Sequence, residues 1–198
     1  MEQAEKGTYE YFQKVGAIKN GHFELTNQYH SDTFIAKRIA FRDTERTKQL
    51  CAGIASAFPR DVETVIGAAT GSIVIANWTA YILSRWRGRM INFIYADKLP
   101  DGSFRVNDWD IEAIKGKRLL SVDDIMTSKS GGTLEKIVKL VRANQGEVVG
   151  AAGIWNRGGI TADDLDVPKF HAEINVSLPA WPKETCPLCE RGEMVIKT

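Results

Sequence analysis

The residues best suited to chemistry lie between Leu119 and Leu134, in the stretch LLSVDDIMTSKSGGTL. Arg118 to Val122 reads as a buried strand that ends in two adjacent carboxylates, Asp123 and Asp124. A loop of hydroxyls and glycines follows, and then a helix begins. Ligands of open α/β sheets sit at the carboxyl ends of the strands. Gly131 and Gly132 let backbone N–H groups approach an anion closely. Thr127, Ser128, Ser130 and Thr133 offer hydroxyls, Lys129 offers a charge, and the helix N-terminus supplies a favourable dipole. Asp123 and Asp124 can accept from vicinal sugar hydroxyls or from a cation that accompanies a pyrophosphate. The chemistry indicated is recognition of a phosphorylated sugar; the competing reading is a plain strand–turn–helix connection capped by an Asp. No Gly-Lys-Ser/Thr follows the glycines and no G-x-G-x-x-G is present, so neither a Walker A loop nor a dinucleotide fingerprint is indicated.

Two further turns carry functional residue types. Gly67-Ala68-Ala69-Thr70-Gly71-Ser72 is a small-residue connection between a strand and a helix. Trp155-Asn156-Arg157-Gly158-Gly159 closes another apolar run, and an Arg at a strand's carboxyl edge can pair bidentately with a carboxylate. In the tail, Cys186-Pro187-Leu188-Cys189 has zinc-ribbon spacing but no second pair. A four-ligand zinc site would need His171 or another distant ligand. His22 and His30 are read as structural or hydrogen-bonding groups.

The elements that must position these residues alternate. Residues 1–16 read as a short amphipathic helix, and Gly21 to Lys37 as a hairpin or extended arm. A helix follows an N-cap at Asp43 or Thr44, with Leu50, Cys51, Ile54, Ala57 and Phe58 on one face and Pro59 just past its end. Val62 to Ile66 is a strand, about Ile73 to Arg85 a helix, and Met90 to Tyr95 a strand. Asp101-Gly102 turns the chain toward Ser103–Val106, as a hairpin or a mobile loop. Leu134, Ile137, Val138 and Val141 make a helical stripe, with Gly146 as its stop. Val148 to Trp155 and Lys169 to Val176 complete the strands. This alternation predicts an α/β fold with a central, mainly parallel twisted sheet flanked by helices. One domain spans 1–198, with an N-terminal hood or arm over 1–41, the α/β core over 42–178 and a tail over 179–198.

Composition narrows the partners. The 198 residues hold 26 Lys plus Arg against 25 Asp plus Glu, so a net charge of +1 gives no reason to expect nucleic acid or an anionic membrane. Three cysteines do not make a disulfide framework. The N-terminus has no apolar h-region, and Ser72 to Leu83 is too short and too interrupted to span a bilayer. A cytoplasmic protein is expected.

The Leu119–Leu134 stretch resembles the phosphoribosyl pyrophosphate (PRPP) signature of type I phosphoribosyltransferases. The resemblance implies that Asp123 and Asp124 contact the ribose hydroxyls, and that Thr127, Ser128, Lys129, Ser130, Gly131, Gly132 and Thr133 cradle the 5′-phosphate in a loop longer than usual. Gly21-His22-Phe23-Glu24-Leu25-Thr26 with His30-Ser31-Asp32-Thr33-Phe34 resembles the arm of the orotate branch, which covers the nucleobase and puts Phe34 beside it. Ala69, Thr70 and Gly71 fall in the pyrophosphate loop, without the Lys that some relatives have. Arg157 matches the position that binds the base's carboxylate or edge. No metal role is implied for the tail.

The implied reaction displaces pyrophosphate from C1 of PRPP by a base nitrogen, with Mg²⁺ carried on the pyrophosphate and no nucleophilic side chain. Asp124 also senses charge growing on the ribose. The leaving-group cations come from the 95–105 loop, where Lys98 is the main candidate and Arg105 the weaker one. That loop has no His and two Asp, which is poor in charge for the role. The expected function is conversion of orotate to orotidine 5′-monophosphate in pyrimidine nucleotide synthesis by a homodimer. Transfer to another base, or PRPP sensing without turnover, are the alternatives.

Overall fold

A computed structural model describes residues 3–25, 29–58, 62–128 and 130–197. Two sheets organise the chain. The larger has six strands in the order β5-β4-β3-β6-β7-β8, with β3 (Thr64–Ala68), β4 (Asn92–Lys98), β5 (Phe104–Arg105), β6 (Arg118–Met126), β7 (Glu147–Asn156) and β8 (Phe170–Ile174). All neighbours pair in parallel except the edge pair β4–β5. The strand order reverses between β3 and β6, and the carboxyl ends at such a reversal frame a crevice.

Strand alternation sorts the core. Val65, Leu120, Val122 and Ile154 pack with α3 (Thr44–Ala57) and α4 (Gly71–Arg87) through Leu50, Cys51, Ile54, Ile75 and Leu83. Ile66, Leu119 and Val148 face the other way, onto Leu134, Ile137, Val138 and Val141 of α5 (Thr133–Ala143). The expected helical stripe of α5 is thus its buried face. Asp43 caps α3, accepting from the Arg46 N–H at 2.9 Å. Pro59 lies outside the described residues.

The smaller sheet has the order β10-β1-β2-β9 and joins the two ends of the chain. Strands β1 (Ile18–Glu24) and β2 (Tyr29–Ile35) form the expected N-terminal hairpin. The tail adds β9 (Trp181–Pro182) beside β2 and β10 (Ile196–Lys197) beside β1. Helix α1 (Gln3–Lys14) docks on the large sheet by setting Phe12 edge-on against the buried Trp155, ring centres 5.4 Å apart.

Three expectations need correction. Strand β6 does not stop before the acids. Its pairing with β3 ends at Val122, but its pairing with β7 continues through Asp123, Ile125 and Met126. The carboxylates therefore sit on a strand that overhangs one neighbour and is held by the other. Gly67 and Ala68 belong to β3, not to the turn after it. The left-handed residue after α5 is Gln145, at φ 62°, and not Gly146. Gly146 instead lies where a Cβ would meet Val141, Ile114 and Leu119.

Gly67 illustrates how tightly the crevice is built. A Cβ there would lie 2.7 Å from the Ser72 carbonyl oxygen and 3.1 Å from Ala76 Cβ, so only Gly lets α4 begin this close to β3. Gly67→Ala should push the first turn of α4 away, costing about 2 kcal/mol and lowering Tm by roughly 5 °C. Thermal unfolding checks this, and an unchanged Tm would show that the helix start has room to move.

Candidate active site

The carboxyl ends of β3 and β6 open into a cavity of about 740 Å³. Its walls come from the turn after β3 (Ala69, Thr70, Gly71, Ser72), the acids and loop after β6, the N-terminal hairpin and Lys37, Lys98 of β4 and Phe104 of β5, and the segments around Arg157 and Leu178. The Ala69–Thr70 peptide is cis.

The acid pair is the electrostatic centre. Asp123 and Asp124 are 6% and 3% exposed. Asp123 Oδ1 accepts from Ser72 Oγ at 2.5 Å and from the Asp124 N–H at 2.9 Å. Among the described residues, nothing donates to its Oδ2. Asp124 Oδ1 accepts from the Ile125 N–H at 2.6 Å, and its Oδ2 lies 2.5 Å from Lys37 Nζ. A Cβ on Gly71 would fall 1.7 Å from that same Oδ2, so glycine is required where the β3 turn crosses the acids. Burial first, and the neighbouring Asp124 second, hold the Asp123 carboxyl well above the usual carboxylate range; Ser72 and Lys37 only partly offset this.

Most of the expected residues gather here. Asp123, Asp124, Thr127, Ser128, Ser130 and Thr133 line the cavity, as do Ala69, Thr70, Gly71, Phe34, Lys98 and Arg157. Gly131 and Gly132 do not line its wall. Gly131, at φ 70°, donates its N–H to Glu135, and Gly132 is the N-cap of α5. Lys129 lies outside the described residues. The 95–105 segment is a closed hairpin: Asp101 Oδ1 accepts from the Ser103 N–H and hydroxyl, and Lys136 Nζ donates to the Gly102 carbonyl at 2.9 Å. In its register Lys98 opposes Phe104 and Asp97 opposes Arg105. Alternation therefore sends Lys98 and Phe104 to the cavity and leaves Arg105 exposed away from it.

Arg157 is 3% exposed, yet among the described residues no carboxylate lies within ion-pair distance. Its guanidinium donates to Ser31 Oγ at 2.9 Å and, more weakly, to the carbonyls of Thr33 and Pro179 at 3.4 Å. It therefore ties the hairpin and the tail to the large sheet. Desolvation lowers its pKa, offset in part by the charge of Asp32. A buried cation without a full counter-charge is costly, and this one faces a cavity.

Sequence reasoning missed Lys37 and Ser72. Ser72 was visible as the last residue of the small-residue turn but carried no role. Lys37 stands at the start of the short helix α2 (Lys37–Ala40), directly after the hairpin. Nothing local in the sequence brings it to Asp124; the fold of the hairpin does.

The raised Asp123 carboxyl has a consequence for stability. Its folded-state value lies above its unfolded value, so in that interval the folded chain binds more protons than the unfolded one. Stability then falls as pH rises from the ordinary carboxylate range toward the raised value. Asp123→Asn, which keeps an oxygen for Ser72 to donate to, should melt above the parent at pH 8, with the gap closing toward pH 4. Denaturation followed across pH reads this directly, and a gap that widens at low pH would reverse the assignment.

The matches to known proteins follow the same lines. Residues 40–188 match the phosphoribosyl transferase domain family. An orotate phosphoribosyltransferase of Caldanaerobacter subterraneus is 31% identical, over 95% of this chain and 93% of its own. One from a Methylobacterium strain is 34% identical, over 83% and 85%. The chain's fold is similar to that in the crystal structure of Mycobacterium tuberculosis orotate phosphoribosyltransferase in complex with Fe(III) dicitrate, at TM-score 0.63 and 19% identity, covering 86% of this chain and 95% of that one. The chain belongs to the phosphoribosyltransferase family, and these relatives, matched over most of their length, are orotate phosphoribosyltransferases.

Proposed function

We propose that the chain transfers the phosphoribosyl group of PRPP to orotate, forming orotidine 5′-monophosphate and pyrophosphate. The observation that carries this reading is the pairing of opposite demands in one cavity. Two buried carboxylates suit a polyhydroxyl group, and a buried guanidinium without a full counter-charge suits a carboxylate. PRPP supplies the first and orotate the second.

In this reading Asp123 Oδ2 and the Asp124 carboxylate accept from the ribose hydroxyls. Thr127, Ser128, Ser130 and Thr133 hold the 5′-phosphate at the start of α5. Ala69, Thr70 and Gly71 face the pyrophosphate. Arg157 receives the base's carboxylate, and Phe34 closes over its ring. A base nitrogen bonds to C1 as the C1–O bond to pyrophosphate breaks; the electron pair leaves with the pyrophosphate, and the proton of that nitrogen passes to solvent. Charge grows positive on the ribose, where Asp124 faces it, and negative on the leaving group, where Lys98 and Lys37 stand. Arg105 contributes from the hairpin's outer face only if that hairpin moves.

The oxygen donors at the cavity, Asp123 and Asp124 above all, are of the kind Mg²⁺ takes. Bound with PRPP, the ion would supply charge neutralisation for the pyrophosphate. Hood, core and tail act as one unit in this scheme, because Arg157 of the core is held by Ser31 of the hood and Pro179 of the tail. No helix of the described residues is long and apolar enough to cross a membrane.

A second copy of the chain is also part of the proposal. Val74, Trp78 and Tyr81 fall at i, i+4 and i+7 on α4 and form a partly exposed apolar stripe, with Trp86 and Met90 exposed beyond it. Tyr81→Asp should convert a two-chain particle to a one-chain particle in light scattering; an unchanged mass would place the contact elsewhere.

The reaction is tested by incubating the protein with PRPP, Mg²⁺ and orotate and following orotate absorbance, with uracil and purine bases as controls. Arg157→Ala should raise KM for orotate roughly 10- to 100-fold, the cost of losing a charged hydrogen-bonding group, with a much smaller change for PRPP. Equal changes would remove Arg157 from the base site.

A further inference from the structure

His22 and His30 converge with Cys186 and Cys189 from the opposite end of the chain, with all four ligating atoms within 4.8 Å of one another. We propose that they form a structural Zn²⁺ site that clamps the C-terminal tail onto the N-terminal hairpin.

The geometry points to a metal. Tetrahedral zinc with its usual bond lengths separates sulfur and nitrogen ligands by about 3.5 Å, and two nitrogens by about 3.3 Å. Cys186 Sγ and Cys189 Sγ each lie 3.6 Å from His22 Nε2, and Cys189 Sγ lies 3.2 Å from His30 Nδ1. The two nitrogens stand 2.7 Å apart. The two edges from His22 to the cysteines match a tetrahedron around one ion, and the two shorter edges widen by about 0.3 and 0.6 Å as the ion enters.

The tautomer of His22 agrees. His22 Nδ1 is 2.8 Å from the Glu193 carbonyl oxygen, which can only accept, so the proton sits on Nδ1 and Nε2 presents a lone pair to the cluster. With that Nε2 accepting, the 2.7 Å contact puts a proton on His30 Nδ1, which zinc binding releases. A histidine ligand fixed by a carbonyl on its other nitrogen is the usual arrangement at zinc. Burial agrees as well. His22 and His30 are 2% exposed and Cys186 is fully buried, while Cys189 closes the cluster from a partly exposed position.

Each ligand is placed by its backbone. The register pairs Phe23 with Ser31 and Glu24 with His30, and a bulge between Asn20 and Phe23 sets His22 beside His30, their nearer ring nitrogens 2.7 Å apart. Cys186 is the N-cap of the short helix α7 (Pro187–Glu190), and Cys189 follows within its single turn. The Cys-x-x-Cys pair of the tail is thus completed by two histidines of the hairpin. His171 is not the missing ligand: it lies on β8, with Nε2 2.8 Å from Glu173 Oε1.

The site would fix the hood. Strands β9 and β10 are two residues each and flank the hairpin on both sides. So little strand pairing holds weakly by itself, and a metal centre adds binding free energy to it. The hairpin carries Phe34 and Tyr29 to the cavity, so zinc also sets the roof of the proposed active site.

The test is metal analysis of the full chain, purified without chelator from zinc-supplemented cells. The native protein should hold about one zinc per chain. Cys186→Ser with Cys189→Ser should hold less than a tenth of that. Replacing zinc by Co²⁺ in the native chain should give the intense visible bands of tetrahedral cobalt with a thiolate charge-transfer band, a reading that needs no variant to fold. Removing zinc should lower Tm and restoring it should raise Tm. The proposal is overturned by native protein that neither carries zinc nor gives the cobalt bands, by a double variant that keeps its zinc, or by a Cys186–Cys189 disulfide in the native chain.

Discussion

Two adjacent carboxylates buried at the overhanging end of β6 are the constraint around which this structure is arranged. Taking one carboxylate out of water is costly, and a like charge beside it adds to that cost. The chain answers from three directions. Ser72 comes from the start of α4, Lys37 from the end of the hairpin, and backbone amides from β6 itself. The stabilisation is incomplete, as the raised Asp123 carboxyl shows. A site left short of donors in the free protein is one that a ligand with several hydroxyls can complete.

The same dependence explains why the N-terminal hairpin and the tail cannot be treated as ornaments on the core. Lys37 reaches Asp124 only because the hairpin lies across the sheet's carboxyl edge. Arg157 is held by Ser31 and the Pro179 carbonyl, one from each end of the chain. The cluster of two histidines and two cysteines brings those ends together again. In the proposed scheme, base recognition, ribose recognition and the stapling of the tail share the same strands.

Much of this was legible in the sequence, for physical reasons. Strand–helix alternation and the stripe of α5 follow from periodicity, and they gave the architecture. The acids, the hydroxyl loop and Arg157 were visible because their types are unusual at strand ends. What stayed hidden depended on pairing. The extension of β6 past its β3 contact is set by β7, not by local propensity. The inward turn of Lys98 and the outward turn of Arg105 are set by the register of a two-residue strand. Lys37, and the completion of the Cys-x-x-Cys pair by His22 and His30, are contacts between distant segments. The histidines were read as hydrogen-bonding groups and the cysteines as half a site, because no spacing rule joins positions so far apart. The near-neutral balance of charge also hid how the cations are used: a few are placed at the cavity, and no broad basic surface is needed.

The central claim is that the acid pair receives the ribose while Arg157 receives the base. A crystal structure of the chain with PRPP, Mg²⁺ and an unreactive orotate analogue that keeps the carboxylate tests it most directly. The account predicts ribose hydroxyls within hydrogen-bond distance of both Asp123 and Asp124, the 5′-phosphate in the 127–133 loop, and the analogue's carboxylate on the Arg157 guanidinium. Ligands seated elsewhere, with Asp123 and Asp124 still bound only to Ser72, Lys37 and the backbone, would contradict it.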